Sequence, residues 1–69
     1  MRRFVLWRHE DVSGVSGTGM VAEGVEFSDG RVVLRWRGSH PSFTLFKSVQ
    51  DLVAVHGHQG RTEVQWVDA

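Results

Sequence analysis

Asp29-Gly30 lies between two runs rich in β-formers, and it constrains the chain more than any other feature. In that setting the dipeptide suits a tight hairpin turn needing positive φ, a conformation Gly adopts without steric cost. The returning run, residues 31–37, alternates cleanly. Val32, Leu34 and Trp36 face one way, and Arg31, Val33, Arg35 and Arg37 the other. One face is thus expected to pack on a core while the other presents three guanidiniums. The outgoing run, residues 20–27, reads as the partner strand. Val21, Glu23, Val25 and Phe27 share one face, and Ala22, Gly24 and Glu26 the other. Gly24 reads as a bend or bulge.

The remaining elements follow from the same rules. Residues 4–9 read as a first strand and residues 43–47 as a fourth. Between the third and fourth strands, Gly38-Ser39-His40-Pro41-Ser42 reads as a turn. Ser48, with Asp51 three residues on, resembles a capping box with Asp in place of Glu. Val49, Leu52, Val53 and His56 then share a face at helical spacing, and Gly57 fits just past the helix end. Residues 62–67 form a last strand, with Val64 and Trp66 on one face. The order β, long loop, β, β, β, short helix, β predicts a mainly β (α+β) single domain over residues 1–69. Its expected form is a strongly bent antiparallel sheet, or an SH3-like or OB-like small barrel, of about five strands. Trp7, Trp36 and Trp66 alternate with polar residues and are expected in the core.

Composition narrows the function classes. Eight Lys+Arg balance eight Asp+Glu, which argues against a general polyanion binder. There is no Cys, so disulfides and thiolate zinc sites are excluded. No apolar run approaches the ~20 residues that span a bilayer. The opening Met1-Arg2-Arg3-Phe4 lacks the apolar stretch of a signal peptide. A soluble cytoplasmic domain with no membrane partner is expected. A core this small gives only a few kcal/mol, so a homo-dimer or other homo-oligomer is also expected. Seven of the eight basic residues are Arg, while Ile, Asn and Tyr are absent. That bias matches a GC-rich genome, and so does not by itself argue for phosphate contacts.

The loop over residues 13–19 holds three Gly and three hydroxyl residues in seven positions. Ser13, Gly14, Ser16, Gly17, Thr18 and Gly19 are candidates for an anion nest of backbone N–H groups and hydroxyls. The pattern is neither a Walker loop nor a dinucleotide fingerprint, since a strand follows it. Turn chemistry alone also accounts for a Gly/Ser-rich loop.

His9 and Asp11 precede that loop, and His56 and His58 straddle the helix end. Imidazoles with a carboxylate can donate to phosphate or act as acids and bases. His9, His56 and His58 also make a weak donor set for a transition metal, but the His56/His58 spacing matches no zinc signature, and no cofactor is expected. His56 equally fits a packed core histidine. No nucleophile stands out, so a non-catalytic role is expected.

Arg31, Arg35 and Arg37, joined by Arg2, Arg3 or Arg8, form a candidate nucleic-acid face, because alternate strand residues lie about 6.6–7 Å apart, close to phosphate spacing. Glu23, Glu26 and Glu63 are positioned to neutralise it by cross-strand pairing.

Arg8-His9-Glu10-Asp11, Gly14-Val15-Ser16-Gly17-Thr18-Gly19, Phe27-Ser28-Asp29-Gly30, Leu34-Arg35-Trp36, Val55-His56-Gly57-His58, Thr62 and Trp66 together form a pattern spanning nearly the whole chain. It resembles a family of short proteins from actinobacteria and their bacteriophages. The resemblance implies a phage or actinobacterial origin and brings no activity with it.

The residues themselves point to a small binding protein. It holds a phosphate-bearing, nucleotide-like ligand between the Gly-rich loop, an arginine and the His56/His58 turn. The alternatives are a nucleic-acid-binding barrel that uses the arginine face, and a protein–protein adaptor or inhibitor.

Overall fold

The hairpin at Asp29-Gly30 forms the centre of the sheet. The structure, a computed structural model, describes residues 1–10 and 18–68. Its elements are β1 (Arg2–Arg8), β2 (Gly19–Glu26), β3 (Val32–Trp36), β4 (Ser42–Phe46), α1 (Val49–His56), a 3-10 turn (His58–Gly60) and β5 (Thr62–Trp66). At the turn, Phe27 O accepts from Gly30 N at 2.9 Å, and Phe27 N donates to Arg31 O at 2.7 Å. Gly30 has φ +92, which a residue with a side chain rarely adopts.

The five strands form one sheet in the order β4-β3-β2-β1-β5, with every neighbouring pair antiparallel. The mainly β reading holds, with a short helix before the last strand. No pairing among the described residues joins the two edges, β4 and β5. Of the two expected forms the chain therefore takes the open sheet and not a closed barrel.

Alternation gives the sheet two unlike faces. Phe4, Leu6, Ala22, Val32 and Leu34 point to the helix and are buried, as is Leu52 of α1. Trp36, Phe46, Val49 and Val64 close the rim of that core. The helix starts where its cap predicts, with Ser48 Oγ accepting from Asp51 N at 3.1 Å. Its buried stripe is narrower than the sequence suggests, since Val53 is exposed. At the C-terminal end Gly57 stays right-handed (φ −70). The left-handed residues come later, at His58 (φ 49), Gln59 (φ 58) and Gly60 (φ 90).

Gly24 is not the bulge. The β1–β2 register shifts between Leu6 and Trp7, opposite Val21. The extra residue turns Val21 into the core beside Ala22. Gly24 instead allows a close approach, because a Cβ there would lie 2.4 Å from Phe4 Cζ and 2.8 Å from Val33 O.

Two of the three tryptophans also depart from expectation. Trp36 packs on the core, but Trp7 lies on the face away from the helix and Trp66 lies on the edge strand, each 37% exposed. Trp66 meets the Phe4 ring edge-on at 5.4 Å and carries the Arg2 guanidinium 3.7 Å above its own ring. No helix among the described residues is long and apolar enough to cross a membrane.

Candidate functional site

Strand β1 ends on Arg8, and the alternation that buries Phe4 and Leu6 turns Arg8 to the helix side as well. It is 6% exposed. Its cross-strand neighbours are Gly19 on β2 and Thr62 on β5. Thr62 is buried too. Arg8 Nε and Thr62 Oγ1 are both shielded from solvent and have no hydrogen-bond partner among the described residues. A buried donor or hydroxyl left without a partner is unfavourable by about 1–3 kcal/mol. The described residues leave both polar atoms unsatisfied.

The surroundings are cationic. Burial pushes the His56 imidazole below the usual histidine value, and the nearby charges of His58 and Arg8 push it further the same way. The His56 ring sits edge-on to Trp36 at 4.9 Å and to Phe46 at 5.7 Å. The packed-histidine reading thus describes its ring face, while its charge environment belongs to the Arg8 end of the sheet.

The nearby described carboxylates are already engaged. Glu63 Oε1 lies 2.9 Å from His9 Nε2 and accepts from Gln65 at 2.9 Å. Those two bonds hold the Glu63 carboxyl below its ordinary range, with Gln65 the larger cause. Glu10 Oε2 accepts from Arg61 Nε at 3.2 Å. His9 N donates to Arg61 O at 2.6 Å, and Arg61 N donates to His58 O at 3.2 Å.

The structure describes five of the ten expected site residues, His9, Thr18, Gly19, His56 and His58. Gly19 pairs with Arg8, His58 lies in the turn before β5, and the His9 side chain meets Glu63, which shares the face away from the helix with Trp7. Gly19 has φ +86 and open space where a Cβ would lie. Asp11, Ser13, Gly14, Ser16 and Gly17 lie outside the described residues. His9, His56 and His58 form no metal-binding group, since no cluster of three or more His, Cys, Asp or Glu suited to a metal occurs among the described residues.

Sequence reasoning missed Arg8 and Thr62 as site residues. The sequence sets Arg8 beside the arginine face, and its parity with Phe4 and Leu6 is the signal that turns it to the helix side. That arginine face is itself divided. Arg31 precedes β3 and pairs with Asp29, and Arg35 pairs with Glu23 at 3.0 Å. Arg37 lies past the strand end and is exposed. Arg2 pairs with Glu26 and Arg3 with Asp68, each at 2.9 Å.

The sequence model of a family described as Acb5 phage protein matches residues 1–68. No curated protein and no solved structure matches the chain.

Proposed function

The chain belongs to the Acb5 phage protein family, and we propose that it is a small non-catalytic binding protein for a phosphate-bearing, nucleotide-like ligand. The ligand sits where β1 runs into the Gly-rich loop. The buried Arg8 Nε carries this reading, because that donor has no partner among the described residues. A guanidinium matches phosphate as a planar fork, and burial strengthens the pairing. Thr62 Oγ1 offers a hydroxyl donor directly across the ladder. His58 and Gly19 border the same end, and His56 becomes a further donor once an anion favours its charged form.

The arginine-face reading is weaker. Arg31 and Arg35 already have carboxylate partners, so a nucleic-acid strand would have to displace both.

Thermal denaturation with inorganic phosphate, mononucleotides and cyclic dinucleotides at millimolar concentration tests the proposal. A ligand at a hundred times its Kd stabilises by about 2.7 kcal/mol, which for a domain this size raises the Tm by about 10 °C or more. No rise with any member of the panel overturns the reading. Oligonucleotide binding that falls steeply with salt and is lost in an Arg31/Arg35/Arg37→Ala triple variant would support the arginine face instead.

A further inference from the structure

The sheet face opposite the helix carries a second, unrelated feature. An antiparallel sheet that faces water is normally polar on that side, but here large apolar side chains interleave with the charged Arg3, Glu23, Arg35 and Glu63. Phe43 is 68% exposed, Leu45 75% and Val67 56%, and Trp7 lies on the same face. The register places Leu45, Val33 and Val25 side by side across β4, β3 and β2. Beside them, a groove of about 350 Å³ is lined by Val5, Val25, Val33, Phe43 and Val67 together with the charged Arg3, Glu23 and Arg35.

We infer that this face is the interface of a two-fold homodimer in which two sheets stack face to face. The first argument is charge. The cations on the face are matched within the chain, Arg35 by Glu23 and Arg3 by Asp68. The whole chain is neutral as well. A face whose charges are paired within the chain suits an equally neutral partner, and an identical copy meets that condition by symmetry. The second argument is area. Five strands about 4.8 Å apart, with residues rising about 3.3 Å each, make a face roughly 24 Å by 20 Å. Stacking two such faces removes on the order of 1,000 Å² of surface, which meets the lower bound for a specific interface. Burial also gives the chain a second hydrophobic layer, which a domain with so few buried apolar residues lacks.

Sedimentation equilibrium from micromolar to near-millimolar protein tests the inference. A reversible dimer is expected, and its dissociation constant should rise roughly a hundredfold in a Phe43→Arg/Leu45→Arg variant, which loses two apolar anchors. Both positions are exposed in the single chain, so the fold should tolerate them. Val53→Arg, on the exposed side of α1, should leave the dimer intact. A monomer throughout the range, or a dimer indifferent to the double variant, overturns the inference. If the double variant does not fold, isotope-filtered NOEs between labelled and unlabelled wild-type chains decide. Contacts between the Val5, Val25 and Val33 methyls and the other copy support the stacked face, and contacts confined elsewhere refute it. The Arg8 end faces the helix side, so phosphate-dependent stabilisation should survive in the double variant.

Discussion

Arg8 and Thr62 oppose each other across the β1–β5 ladder, and each hides a polar atom from water without satisfying it. Both atoms lie on the helix side of the sheet, beside a histidine whose charging is already disfavoured. A fold that keeps such a pair in the absence of ligand gives up stability that an anion can restore.

Replacing these two residues should separate stability from binding. Arg8→Met removes the unmatched buried Nε donor, and Thr62→Val removes an unmatched hydroxyl at nearly constant volume. The ligand-free protein should be equally stable or gain about 1 kcal/mol in either variant. Stabilisation by phosphate ligands should disappear in Arg8→Met and weaken in Thr62→Val. Urea denaturation with and without ligand measures both effects. A large loss of ligand-free stability in Arg8→Met would mean that the guanidinium is already satisfied within the fold.

Acid should weaken the free protein through His56. Its folded pKa lies below the ordinary 6.5, so the unfolded chain binds the proton more readily. The stabilising contribution is complete above about pH 6.5 and is lost as the pH falls through the folded value. A bound anion reverses that preference. Ligand affinity should therefore rise as the pH drops from 7.5 towards 6, with proton uptake on binding. Calorimetry in two buffers of different ionisation enthalpy measures that uptake, and His56→Gln should abolish it.

Gly24 should not tolerate a side chain. The Cβ of Gly24→Ala would collide with the Phe4 ring and with a β3 carbonyl, and Phe4 is fixed in the core. The expected loss is about 1–3 kcal/mol, or a Tm lower by at least about 4 °C. Differential scanning calorimetry measures it.

The chain's two ends are joined by an ion pair that NMR can titrate. Side-chain and backbone hydrogen bonds from Arg3, in that order, hold the Asp68 carboxyl at about 2, against an ordinary 3.8. Its stabilising contribution is present above pH 3.8 and fades as the pH falls towards 2. Arg3→Gln should raise the Asp68 midpoint part of the way towards 3.8, because the backbone N–H of residue 3 still donates to the carboxylate.

Much of the architecture was legible from alternation and turn chemistry. Val32, Leu34 and Trp36 share a face as their spacing says, and Ser48 caps the helix. The Val21 bulge was not legible, because an inserted residue becomes visible only when the partner register is known. The left-handed run at His58 and Gln59 was equally hidden, since neither residue type signals positive φ as Gly does. The placing of Gly19 and Thr62 on either side of Arg8 depends on β1 pairing with both β2 and β5, a non-local fact that composition does not carry. Arg8 shows the limit most clearly. Its spacing from Phe4 and Leu6 was available, but its burial follows only when Thr62 and the helix are placed over it.

The most direct test of the anion-site account is the Arg8 Nε–Hε resonance, followed by 15N NMR while phosphate or a nucleotide is added. The account predicts one slowly exchanging Arg signal that shifts saturably, with the same midpoint as the ligand-induced rise in Tm. A signal that stays fixed while ligand binds, or that is already hydrogen-bonded and protected in the free protein, would contradict it.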